Sequence, residues 1–118
     1  MNATSSAATA VAHLRAQCVD TVIGTVVNPA GLTLAKAVPS GRLTTFAGPG
    51  LGASPSWHAF AIDQTGIAFT DDVGVVGDQR LRADLSALRI IDDGLAWAPA
   101  DFFDQQGTPV PACSRKNT

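Results

Sequence analysis

A short stretch of the chain concentrates the residue types that could do chemistry. Ser54 carries a hydroxyl, Trp57 an aromatic face and His58 an imidazole, and they follow a glycine-rich run, AGPGLGASPS, over 47–56. Three chemistries are open to such a set. Ser54 with His58 and an aspartate is the kit of a nucleophilic hydrolase, but Ser54 sits in G-A-S-P-S and not in the G-x-S-x-G turn that lifts a serine above a sheet. Gly48-Pro49-Gly50-Leu51-Gly52-Ala53 satisfies G-x-G-x-x-A, yet a dinucleotide loop must open a helix, and Pro55 follows almost at once. The third option is a binding loop. Glycines let a backbone approach a ligand closely, and tryptophan is enriched where one surface meets another. Trp57 plugging its own core is the plain rival to that option. The paired acids Asp71/Asp72 and Asp92/Asp93 stand beside glycine, where aspartate commonly caps its own turn, so a turn is expected and not a metal site.

The wider composition narrows the choice. All ten acidic residues are Asp; there is no Glu and no Tyr, and His13 and His58 are the only imidazoles. Metal and acid–base sites built on Glu and His are therefore almost excluded. A net charge of −2 offers no basic field for a nucleic-acid backbone. Cys18 and Cys113 have no ligand spacing, and nothing demands a bridge between them. No basic and apolar leader opens the chain, and no apolar run approaches the ~18 residues of a membrane span, so no membrane partner and a cytoplasmic location are expected.

Those candidates must be positioned by the elements around them. The 118 residues suffice for one core. Ala7, Val11, Leu14 and Cys18 make one apolar stripe and predict a helix over 1–18, with His13 off the stripe and solvated. The β-branched run 19–27 predicts an inner strand. Asn28-Pro29-Ala30-Gly31 has turn chemistry, and 32–38 alternates with Leu32, Leu34, Lys36 and Val38 on one side, which together predict a hairpin. A short helical turn is expected over 42–46 and a long loop over 47–56. Residues 57–62 read as a strand or one helical turn, and Ile67-Ala68-Phe69 as a short strand between turns at 63–66 and 71–74. A second hairpin is expected from 85–91, the turn Asp92-Asp93-Gly94, and 95–103, with Pro99 placing this last strand at an edge or splitting it. The order helix, hairpin, excursion, hairpin predicts an α+β fold with a mostly antiparallel mixed sheet.

Four segments in order along this frame resemble the N-terminal β-grasp domain of the glutamine synthetase family. VIGTVVNPAGLTLAKAVPSGRL (22–43) resembles the family's opening hairpin, with its turn, lysine and V-P before a short helix. GLGASPSW (50–57) resembles the loop that typically reads F-D-G-S-S. VGDQRLRADLSALRI (76–90) resembles the S-D-x-x-L-x-P-D stretch, and DQQGTPVPACSR (104–115) the D-x-x-G-x-P…C-x-R exit. The resemblance implies a β-grasp-like fold with an N-terminal helix over 1–18, the β-grasp domain over 19–115, and a tail over 116–118 at which a catalytic domain would begin.

It also implies a role. Family members are ATP-dependent ligases that join ammonia or another amine to the γ-carboxylate of glutamate, using Mg or Mn bound in the catalytic domain. Their partners are the catalytic domains of the same or a neighbouring subunit in a homo-oligomer, whose active site the N-terminal domain completes. This chain is then expected to hold no catalytic residue, metal or cofactor of its own and to be inactive alone. A module that docks on a full-length ligase is the alternative. The family's loop aspartate falls on Gly52 here, followed by Ala53 and Ser54. Losing that carboxylate removes a favourable charge for a small cation and opens space, as in members that resemble this pattern and use larger amines such as polyamines or ethanolamine. Gly52, Ser54 and Trp57 are thus the implied substrate-binding positions. Asn28 in place of the turn aspartate and Ala83 in place of a proline are structural departures.

Overall fold

The β-branched run after the first helix folds as the inner strand its composition predicts. In this computed structural model, which describes residues 3–28, 30–54, 57, 78–110, 113 and 115, α1 is Ala3–Ala16 and β1 is Thr21–Val27. β1 is flanked on both sides: it pairs antiparallel with β2, Thr33–Pro39, and parallel with β6, Leu95–Phe103. A 3-10 turn over Ser40–Arg42 leads into α2, Leu43–Ala47. Next come β3, Leu51–Ala53, and β4, Gln79–Ala83. A 3-10 turn over Leu85–Ala87 precedes β5, Arg89–Asp92. The sheet order is β2-β1-β6-β4-β3, with β5 beside β6. One parallel pairing among antiparallel ones makes this the mixed α+β sheet expected of a β-grasp-like fold.

The opening hairpin closes through its turn residues. Gly31 donates to the Asn28 carbonyl at 2.9 Å, and Gly31 has φ +83°, where a side chain would be strained. The Asn28 side-chain oxygen accepts from the Leu32 amide at 2.9 Å, so asparagine does the work of an aspartate in this turn.

α1 buries Ala7, Val11 and Leu14 as its spacing predicts, but the stripe ends there. The helix stops at Ala16, so Cys18 is exposed with φ +59° and Val19 enters the core in its place. The Val19 amide bonds to the Leu14 carbonyl and the Cys18 amide to that of Arg15, a left-handed helix termination in which cysteine stands where glycine is usual. Cys18 and Cys113 are both free. Ser40 ties the next connection down by donating from Oγ to the Val19 carbonyl at 2.8 Å.

One face of the sheet forms the core. Val22, Ala96, Ala98, Ala100, Phe102 and Leu81 are fully buried there, beneath Leu14 of α1 and Leu43 and Phe46 of α2. Gly24 is required at the centre. A Cβ built on it would lie 2.3 Å from Phe46 Cζ, so the ring rests directly on the β1 backbone. Burying a ring of this size contributes ~2–3 kcal/mol.

Several expectations fail for identifiable reasons. The 47–56 loop contains β3, and 79–83 forms β4, a strand the sequence hides because two of its five residues, Arg80 and Arg82, are charged. The strand expected over 85–91 divides into a 3-10 turn and β5, since Asp84 caps the turn by accepting from the Ser86 amide at 3.1 Å. Most informative is Pro99. It neither splits β6 nor puts it at an edge; β6 is continuous and carries three partners. β5 pairs with β6 only as far as Trp97, and β4 pairs with it only from Ala100 onward. Pro99 therefore falls where one neighbour gives way to the next, and its carbonyl still accepts from Asp84 N at 2.9 Å. A missing N–H costs little at such a changeover. The elements expected over 58–62, 63–66, 67–69 and 71–74, with His58, Asp71 and Asp72, and the tail 116–118, lie outside the described residues.

Candidate site at the β3 loop

The loop is shaped by its glycines and by the strand it joins. α2 ends at Gly48, whose amide bonds to the Thr44 carbonyl. Gly50 then turns the chain with φ +86°, and a Cβ there would come within 2.9 Å of both the Leu81 carbonyl oxygen and Arg82 Cγ. The backbone thus passes flush against β4 and emerges as β3. Gly52 is of another kind. It is exposed, and the nearest atom to a Cβ at this position would be Asp78 Oδ1 at 4.0 Å. Against the described residues Gly52 is not needed for fit.

Trp57 serves both readings its sequence allows. It is half-buried and packs edge-on against Phe102, with ring centroids 6.2 Å apart and planes at 83°. Such a contact anchors the loop to the core. The rest of the ring remains available to Lys36, whose Nζ lies 5.8 Å from the ring centroid. The same ammonium donates a hydrogen bond to the Gly52 carbonyl. Ser54 is exposed, and its carbonyl accepts from the Trp57 amide at 3.2 Å. Of the three positions the sequence singles out, Gly52 and Trp57 are joined through Lys36, and Ser54 is tied to Trp57 through the main chain.

Lys36 is the member that sequence reasoning missed, although its signal is present. The alternation of 32–38 puts it on the same side as Leu34 and Val38, and in the structure it lies opposite Gly24 across the β1–β2 ladder. A cation on the apolar side of a hairpin must find an acceptor or an aromatic face. Here it finds both.

A second polar cluster fixes the end of the described chain. Arg115 pairs with Asp101 at 2.9 Å and with Asp84 at 3.0 Å, and the Asp101 side chain is almost fully buried. The Ser86 hydroxyl donates to Asp84 at 2.6 Å. That hydrogen bond first, and then Arg115, hold the Asp84 carboxyl below the usual carboxylate range despite some desolvation. Cys113 is buried, and its Sγ accepts from the Phe102 amide at 3.3 Å. The C-x-R segment is therefore a structural clamp on β6. Asp92 also acts locally, accepting the Asp93 amide at 2.8 Å, as a turn aspartate should.

Among the described residues no three His, Cys, Asp or Glu side chains stand together as metal ligands. Nor is any helix among them long and apolar enough to cross a membrane.

The chain is 40% identical over 106 residues to the γ-glutamylpolyamine synthetase GlnA3 of Streptomyces coelicolor, a match covering 87% of this chain and 22% of that protein. The chain is similar to the N-terminal part of glutamine synthetase-like ligases. The fold agrees. A crystal structure of a glutamine synthase homolog superimposes with a TM-score of 0.65 at 25% identity, covering 83% of this chain and 24% of that one. Plasmodium falciparum glutamine synthetase gives a TM-score of 0.65 over 92% of this chain and 20% of its own; at 17% identity it speaks for the fold alone. No family model matches the chain. The chain spans between a fifth and a quarter of the length of the proteins it matches.

Proposed function

We propose that this chain is the N-terminal, non-catalytic domain of a glutamine synthetase-like ATP-dependent ligase that joins glutamate to an amine larger than ammonia. The observation that carries the reading is the 40% identity to a γ-glutamylpolyamine synthetase, which runs through 87% of the chain. In this reading the domain makes subunit contact in a homo-oligomer, and the β3 loop, with Gly52, Ser54 and Trp57, faces the amine site of a neighbouring catalytic domain. The glycine at position 52 supports a larger amine, because among the described residues no side chain fills the position where the family resemblance places a carboxylate. ATP and Mg or Mn belong, on this proposal, to the catalytic domain of the whole ligase, and no step is assigned to them here.

The sheet face opposite the helices suits a contact role. Ile23, Thr25, Trp97 and Pro99 are only half-buried there, while Trp97 keeps its polar end satisfied by donating from Nε1 to Thr25 Oγ1 at 2.7 Å. Purified chain incubated with glutamate, ATP, Mg²⁺ and ammonium or a polyamine is expected to release no phosphate. Sustained release would overturn the reading.

A further inference from the structure

β5 is a sheet edge with a partner on one side. Among the described residues it pairs with β6 and with no other strand. All four of its residues are exposed, and Ile90 and Ile91 keep 43% and 52% of their surface in water. A bulge between Ile90 and Asp92 leaves Ile91 without a match on β6. An exposed apolar edge of this kind is a template for another strand.

The strand's own sequence says which strand. Arg89-Ile90-Ile91-Asp92 is complementary to itself. Two copies set antiparallel about a two-fold axis between the isoleucines place Arg89 of each opposite Asp92 of the other, and Ile90 opposite Ile91. Opposite charges and β-branched pairs facing each other across strands stabilise a ladder. A two-fold contact also requires the same patch on both copies, which this edge supplies. The charges are available for it. Arg89 donates to the Leu88 carbonyl at 2.8 Å and Asp92 accepts from the Asp93 amide at 2.8 Å, while the ion pairs among the described residues belong to Arg115. We propose that β5 pairs with β5 of a second copy of this chain, antiparallel and centred between Ile90 and Ile91.

β2 makes the case by contrast. It too stands at an edge of the sheet, beside β1. Self-pairing centred on Thr33–Pro39 would set Lys36 opposite Lys36, and Pro39 has no N–H to offer. Lysine and proline are the residues that blunt an edge, and β5 has neither. Four residues a side make a small contact, so the dimer is weak and salt-sensitive. The contact is a property of this domain and does not depend on the ligase reading.

Sedimentation equilibrium of the chain, from micromolar to millimolar, tests the pairing by charge reversal. The unaltered chain is expected to show a monomer–dimer equilibrium that added NaCl weakens. Arg89→Asp sets Asp against Asp, and Asp92→Arg sets Arg against Arg, so each variant alone is expected to dimerise roughly tenfold more weakly. An equimolar mixture of the two variants restores both opposite-charge pairs and is expected to dimerise as the unaltered chain does. A chain that stays monomeric to millimolar concentration would overturn the proposal. So would a dimer indifferent to either variant, which would place the contact on another surface, or a mixture no better than its components. The backbone amide of Ile91, followed by NMR in the unaltered chain, is expected to shift with concentration; a fixed signal overturns the pairing even if a variant does not fold.

Discussion

Gly24 and Gly52 sit in one small domain and look alike in sequence, but they are glycine for opposite reasons. At Gly24 there is no room: Phe46, fully buried, lies 2.3 Å from where a Cβ would be. At Gly52 no described atom comes nearer than 4.0 Å to where a Cβ would lie, and the main-chain carbonyl accepts from Lys36. The first glycine lets α2 dock on the sheet. The second leaves a gap at the edge of a loop whose other members are a lysine and a tryptophan. The difference separates a glycine that the fold requires from one that it does not. It also shows that glycine content alone does not locate a binding loop.

Substitution at the two positions tests this contrast. Gly24→Ala should have the largest effect. The Phe46 ring is fully buried and cannot yield, so overpacking is expected to cost ~1–3 kcal/mol, read from urea unfolding. Combining it with Phe46→Leu should recover part of that loss, since the two residues touch. A Gly24→Ala chain of full stability would remove one side of the contrast.

An intermediate effect is expected at the clamp. Arg115→Ala removes the guanidinium from the buried Asp101 carboxylate and should cost ~1–2 kcal/mol at neutral pH. The pH dependence follows from Asp84, whose folded-state pKa is lowered. A depressed carboxyl stabilises the fold above its unfolded pKa of ~4, and that contribution is lost as pH falls through the folded value. The stability gap between the unaltered chain and Arg115→Ala should therefore be widest above about pH 4 and shrink below it. A gap that widens in acid would contradict this assignment.

The smallest effect is expected at Gly52. Gly52→Asp should change stability by no more than ~0.5 kcal/mol, because the position is exposed and its surroundings are open. A loss as large as that of Gly24→Ala would show that both glycines are structural, and the contrast would fail.

Much of the scaffold was legible in the sequence, because it rests on local chemistry. The β-branched 19–27 run, the Asn-Pro-Ala-Gly turn, the alternating 32–38 strand and the Asp-Asp-Gly turn each announce themselves within a few residues. What stayed hidden depends on tertiary pairing. β4 reads as a polar link because Arg80 and Arg82 alternate with Leu81 and Ala83. β6 reads as interrupted because the rule against proline assumes the same neighbour along the whole strand, whereas β5 hands over to β4 at Pro99. The site divides in the same way. Gly52 and Trp57 are candidates that residue type and the family pattern single out. Lys36 is not among them, since its partner carbonyl lies 16 positions away and only the fold brings the two together.

The central claim is that this domain serves the active site of a polyamine-type ligase. It is tested most directly by exchange: the chain replaces the matching segment of a full-length γ-glutamylpolyamine synthetase, and γ-glutamylation of a polyamine is measured. The account predicts that the chimera assembles and retains activity, and that Trp57→Leu in the chimera lowers it at least tenfold. A chimera that assembles normally but makes no γ-glutamylated amine, or one whose activity is indifferent to Trp57, would contradict it.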